Sequence, residues 1–187
     1  MGYRGYFWQS DLVRLRAIEE EDWEGHYRNR YDTPGRRCLN YEVELPPTVD
    51  EARAFVEKYG GFREGSGRIM FSIETLDGEL VGGINLNSID ERNGTFSIGV
   101  QIDRDHRGKG YGTAAMQILL LYAFHERRLN KYYGSIIEGN ELSAGMLRKL
   151  GCIVEGRRRQ MIYMEGKYHD EILYGLTREE FDRKFLS

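Results

Sequence analysis

The chain has 187 residues, 27 Lys and Arg against 30 Asp and Glu, and a net charge of −3. At about 150 residues per domain this predicts one domain over 1–187, large enough to close a core without disulfide or metal. The weak acidity excludes a dedicated nucleic-acid binder, whose affinity comes from neutralising phosphates, and 40% hydrophobic with 30% charged residues excludes a disordered chain. The longest strongly apolar run, 118–124, is far short of the roughly 20 residues of a membrane helix. Residues 1–8 hold no apolar run with a cleavage site, and Gly2 is followed by Tyr6 where myristoylation wants Ser or Thr. Cys38 and Cys152 lack paired spacing and read as free thiols of a reducing compartment, so the expected location is cytoplasmic. His26, His106, His125 and His169 show no spacing that would hold a metal.

Along the chain, residues 12–16 alternate as a first strand, and 19–24 open a helix with acidic residues in its first turn. A second helix follows Pro46-Pro47, with Thr48 and Glu51 as a capping box, and stops at Gly60-Gly61. The period then changes to two. Strands at 69–75, 80–87 and 95–102, turned at Asp77-Gly78 and Asn93-Gly94, read as an antiparallel meander. A glycine cluster leads into a long helix at about 110–128, then a strand at 131–137 and a helix at 141–150 closed by Gly151. Strands at 152–164 and 168–176, joined by Glu165-Gly166-Lys167, precede a short helix after Thr177. A meander followed by a strand–helix–strand unit indicates a mixed α/β sheet.

Glycine is 23 of 187 residues, about 12% against a usual 7% or so. The informative cluster is Arg107-Gly108-Lys109-Gly110-Tyr111-Gly112-Thr113, between a strand and a helix. Alternating glycines let backbone N–H groups converge, and the positive helix end behind them suits a pyrophosphate. A P-loop is excluded, because Lys109 is followed by Gly110 and not by Ser or Thr. A dinucleotide fingerprint fits poorly, because Thr113 stands at its third glycine and the preceding strand belongs to a meander. The remaining pattern is R/Q-x-x-G-x-G/A, met by Arg107, Gly110 and Gly112.

On these residues the chain resembles the GCN5-related N-acetyltransferases (GNAT), whose corresponding loop holds the pyrophosphate of acetyl-CoA. Asn140-Glu-Leu-Ser143 with the segment ending in Leu150-Gly151 resembles the family's N-x-x-S/A…K-x-G-F, with Cys152 in place of Phe. Glu155-Gly156 and Gly166-Lys-Tyr168-His-Asp170 are similar to the RimJ/RimL-like branch, which acetylates ribosomal-protein N-termini, and to spermidine acetyltransferases. The resemblance spans nearly the whole chain. It implies a mostly antiparallel sheet of six to seven strands flanked by helices, with the central strands splayed around acetyl-CoA. It further implies acetyl transfer to a primary amine, of a protein N-terminus or a small molecule, by direct attack in a ternary complex. Val100, Gln101 and Ile102 would pair with the pantetheine arm like a missing strand, and one N–H there would stabilise the oxyanion. Arg107, Gly108, Lys109, Gly110, Tyr111, Gly112 and Thr113 would hold the pyrophosphate, with Asn140 and Ser143 across the cleft. A homodimer through the tail hairpin is the family's habit. Neither metal, membrane nor nucleic acid is implied.

The chain also departs from its relatives. Leu147 stands where many carry the Tyr that protonates the leaving thiolate, which weakens the polyamine alternative and leaves Ser143 as candidate donor. Ser97 and Ile162 stand at two positions where relatives carry a base, so Glu74, Glu138, His169 and Asp170 remain without distinction. Two rivals of other classes survive: an acyl-CoA-binding or sensing module without turnover, and a nucleotide-binding protein. Arg127-Arg128 and Arg157-Arg-Arg159 read as a solvated face, since strand alternation turns Arg158 away from its neighbours. Trp23, Tyr27 and Tyr31, at helical spacing, read as a packed helix face, with Tyr41 a further candidate lining a substrate groove.

Overall fold

The strands β1 (Val13–Arg16), β2 (Arg68–Thr75), β3 (Leu80–Asp90) and β4 (Thr95–Ile102) form an antiparallel ladder in the computed structural model. The structure describes residues 5–62 and 68–186; Gly2 lies outside them. Beyond β4 come β5 (Lys131–Ile137), β6 (Ile153–Met164) and β7 (Lys167–Thr177), completing one sheet in the order β1-β2-β3-β4-β5-β7-β6. The pairing is antiparallel everywhere except between β4 and β5. The turns fall at the glycines the sequence marks, including Gly78 (φ +90°) and Gly94 (φ +67°), conformations that glycine adopts without a Cβ clash.

Helices α1 (Trp23–Asn29), α2 (Thr33–Asn40) and α3 (Val49–Tyr59) precede β2, and α4 (Tyr111–Leu121) joins β4 to β5. Helix α5 (Glu141–Leu150) leads into β6, and α6 (Arg178–Phe185) closes the chain. Two starts obey the capping box: Thr48 with Glu51 for α3 and Thr177 with Glu180 for α6. The main core lies where Ala115, Leu119 and Phe124 meet Leu147, Leu150, Phe181 and the inward residues of the sheet, among them Ile84, Leu86 and Phe96. Burying these side chains at about 25 cal/mol per Å2 is the principal force assembling the layers.

Three expectations need correction. Residues 19–24 split into a 3-10 turn, Glu20–Asp22, and the start of α1, because the Asp22 carboxylate turns back to Arg16 and the Glu19 N–H. Helix α2 is additional; its sequence, Thr-Pro-Gly-Arg-Arg-Cys-Leu-Asn, is mostly polar and none of its residues is buried, so polar anchors hold it instead. The long helix stays α-helical only to Leu121, then widens into a π turn, Tyr122–Glu126, closed by Arg127 N–H donating to Tyr122 O at 3.0 Å. That widening keeps Phe124 wholly buried against Phe96 and Phe181.

Candidate active site

β4 and β5 pair only at their beginnings, Thr95 with Lys131 and Phe96 with Tyr132. Beyond that point the strands part, and from Ser97 to Ile102 β4 has β3 on one side and no strand among the described residues on the other. The backbone groups along that edge are therefore open to a ligand lying as an added strand. A cavity of about 770 Å3 fills the wedge, large enough for an extended cofactor arm.

At the outer end of β4 a 3-10 turn, Arg104–His106, leads to Gly108 (φ +78°) and Gly110 (φ +88°), both left-handed. Gly110 is the N-cap of α4 and brings no side chain to cap it, so the first N–H groups of the helix are left for a ligand. Of the ten residues named from sequence on this side, Val100, Gln101, Ile102, Arg107, Gly108, Gly110, Tyr111, Gly112 and Thr113 line the cavity, and Lys109 does not. Two side chains turn elsewhere. Arg107 donates through Nε to Ile102 O at 2.9 Å and through a terminal nitrogen to Asp32, so its charge is already paired. Gln101 accepts from Arg36 at 2.8 Å and donates to Asn29 at 3.2 Å, which fastens α2 and α1 to β4.

Across the cleft stands the start of α5. The Asn140 side chain caps the helix by accepting from the Ser143 N–H at 3.2 Å, and both residues line the cavity. Leu147, one turn further on, is buried and also lines it.

The other wall went largely unread in the sequence. It consists of Cys38, Asn40 and Tyr41 around the end of α2, Asn85 and Asn87 on β3, Ser97, and Ser135 on β5. Tyr41 donates to Ser135 O at 3.3 Å, Asn87 to Asn85 Oδ1 at 2.5 Å, and Asn85 to Gly99 O at 3.3 Å. Burial pushes the Tyr41 hydroxyl and the Cys38 thiol above their ordinary pKa, so both stay neutral at pH 7. Glu141 is the only carboxylate among the described lining residues.

Glu74, Glu138, His169 and Asp170 are not among those lining residues. Glu74 is held by Arg14 at 2.7 Å and Arg16 at 2.5 Å, Glu138 by Arg157, and Asp170 by Arg157 at 2.6 Å. His169 Nε2 lies 3.2 Å from Met164 O. Arg158 pairs with Glu171 at 3.1 Å, so two of the three consecutive arginines are matched to carboxylates. Trp23, Tyr27 and Tyr31 stack along one face, with ring centroids 6.5 and 5.4 Å apart, and Tyr41 alone of the four reaches the cavity.

A splayed parallel pair, a left-handed glycine turn and an uncapped helix start together suit a thioester on a long pyrophosphate-bearing arm. Residues 13–153 match the family model described as "Acetyltransferase (GNAT) domain". The chain belongs to the GNAT acetyltransferases. It is an N-acetyltransferase that takes its acetyl group from acetyl-CoA and passes it to an amine, on a sequence and fold consistent with the RimJ/RimL-like branch. The chain is 29% identical over 176 residues to the uncharacterized prophage-derived N-acetyltransferase YokL of Bacillus subtilis, covering 94% of this chain and 96% of YokL. YdaF of the same organism, which carries a ribosomal N-acetyltransferase name, is 37% identical over 106 residues, 57% of this chain and 58% of YdaF. The solved structure of RimL, a ribosomal L7/L12 alpha-N-protein acetyltransferase, in complex with coenzyme A superimposes with a TM-score of 0.77. At 20% identity, over 90% of this chain and 95% of RimL, that likeness concerns the fold. No helix among the described residues is long and apolar enough to cross a membrane.

Proposed function

We propose that this N-acetyltransferase acts on a primary amine carried by an uncharged or acidic group, a protein N-terminus foremost, and not on a polyamine. The observation that carries this is the acceptor wall of Asn40, Tyr41, Asn85, Asn87 and Ser97, which offers hydroxyl and carboxamide groups. Such groups form hydrogen bonds to peptide backbone, whereas a desolvated polycation needs carboxylates. The names carried by YdaF and RimL support the same acceptor class.

In this reading Val100, Gln101 and Ile102 offer backbone groups to the pantetheine arm, and an N–H of that edge polarises the thioester carbonyl. Gly108, Gly110, Tyr111, Gly112 and Thr113 cradle the pyrophosphate from the start of α4; Arg107 braces the loop and Lys109 supplies charge from outside. Asn140 shapes the opposite wall, and the Ser143 hydroxyl passes a proton to the leaving thiolate, while the amine loses its own to water. The free thiols Cys38 and Cys152 fit a reducing, cytoplasmic setting. The exposed Ile153, Val154, Met161 and Tyr163 on edge strand β6 fit a homodimer through the tail hairpin.

The test is release of free thiol from acetyl-CoA with a panel of peptides, amino sugars and spermidine. Saturable turnover with peptide N-termini and little with spermidine is expected. Preference for spermidine overturns the acceptor assignment, and CoA binding without turnover on any amine reduces the chain to a sensor.

A further inference from the structure

Tyr132 stands at the apex of the wedge, in register with Phe96, where β4 and β5 last pair. Its ring packs against Phe96 with centroids 6.0 Å apart, and the residue is only 4% exposed. The side chain runs along β5 so that its hydroxyl lies over Gly134; a methyl group on Gly134 would overlap it. That hydroxyl lines the cavity and has no hydrogen-bond partner among the described residues. The hydroxyl opens onto the cleft, so a ligand atom at the apex can take the place of water as its acceptor. On the reading above, an arm anchored at Gly108–Gly112 and laid inward along Ile102 and Val100 brings its thioester to that apex. Leu147, the buried neighbour on the α5 side, offers sulfur nothing polar.

We infer that Tyr132 is a further catalytic residue, whose hydroxyl donates a hydrogen bond to the thioester sulfur and holds the thiolate as it departs. The inference rests on the acetyltransferase reading of the cleft. The amine lone pair forms the N–C bond, the C–S bond breaks with its electron pair passing to sulfur, and the nitrogen loses a proton to water. The thiolate gains a proton from solvent by way of Ser143, and Tyr132 keeps its own throughout. Burial raises the Tyr132 hydroxyl well above the usual tyrosine range, so it stays a neutral donor at every working pH.

The test compares CoA with desulfo-CoA by calorimetry, alongside steady-state turnover, in the wild type and Tyr132→Phe. The wild type is expected to bind CoA about 3- to 10-fold more tightly than desulfo-CoA, and Tyr132→Phe to bind the two alike. The variant's kcat falls about tenfold or more, with KM for acetyl-CoA changed less than about twofold, as befits a bond that strengthens when sulfur becomes anionic. Its melting temperature without ligand stays at or above that of the wild type, because only an unpaired hydroxyl is removed. An unchanged kcat, or an unchanged preference for CoA, overturns the assignment. Absence of turnover in the wild type overturns the activity reading instead, and the CoA comparison then decides Tyr132 by itself.

Discussion

Arg107, in the loop assigned to the cofactor, is bound to Asp32, the residue that begins α2. Asp32 is buried and also accepts from Arg104 at 3.0 Å. Helix α2 ends in the wall assigned to the acceptor, so one carboxylate fastens both halves of the site. Burial pushes the Asp32 carboxyl up, and the bonds from Arg107 and Arg104 outweigh it, leaving its pKa below the ordinary value. A carboxylate lowered in the folded state adds stability above its unfolded pKa, about 3.9, and that stability is lost as pH falls through the folded value. Asp32→Asn is therefore expected to cost about 1–3 kcal/mol at pH 7 and progressively less as pH falls below about 3.9. It should also weaken acetyl-CoA binding, since Arg107 is freed to move. Melting curves across pH, with and without acetyl-CoA, check both effects; equal destabilisation at every pH refutes the role.

The same pair explains what the sequence concealed. The cofactor side was legible because its chemistry is local: Gly108, Gly110 and Gly112 sit in one turn, and Asn140 caps the helix that carries Ser143. The acceptor side is assembled from α2, β3 and β5, which are far apart in the chain. Helix α2 is short and mostly polar and buries none of its residues, being held by Asp32 and by Glu44, which accepts from Arg36 at 3.0 Å. One signal was available. Asn85 and Asn87 alternate with buried Ile84 and Leu86 on a central strand, where carboxamides facing a covering layer need partners. The π turn at Tyr122–Glu126 had no such signal, because its residues keep helical spacing in sequence.

Gly112 faces Ile102 and Met146, where an added Cβ would lie 3.4 and 3.3 Å from side-chain atoms. A methyl fits there once Met146 gives by a few tenths of an ångström, but a larger side chain must push into the cleft between the end of β4 and helix α5. Gly112→Trp is expected to fill the throat of the cleft and raise the dissociation constant for CoA at least about 100-fold, removing the roughly 2.7 kcal/mol of stabilisation that 100-fold saturation gives. Thermal unfolding with and without CoA measures it. A folded variant that keeps its CoA shift would remove the glycine turn from the site.

His26 Nε2 is buried without a hydrogen-bond partner among the described residues, and its ring lies 4.8 Å from that of Phe55. Burial lowers its pKa foremost; Asp22 opposes this, and Arg36 and Arg16 add to it. A histidine lowered in the folded state stabilises the fold above its unfolded pKa, about 6.5, and the stability is lost as pH falls toward the folded value. His26→Phe keeps a ring against Phe55 and should flatten the fall in melting temperature between about pH 6.5 and 5. A slope as steep in the variant as in the wild type assigns the acid sensitivity to other groups.

Ser143 has two duties to separate, since its N–H is tied to the Asn140 side chain while its hydroxyl faces the cleft. The cap uses the backbone of Ser143 and survives Ser143→Ala, so helix stability should change by only a few tenths of a kcal/mol. Loss of a proton donor to the thiolate, by contrast, acts on turnover, with kcat falling about 10- to 100-fold at nearly constant KM for acetyl-CoA. Steady-state kinetics with a peptide acceptor distinguish the two. If kcat and KM are both unchanged, Ser143 is only a helix-start residue, and the proton reaches sulfur through water beside Tyr132.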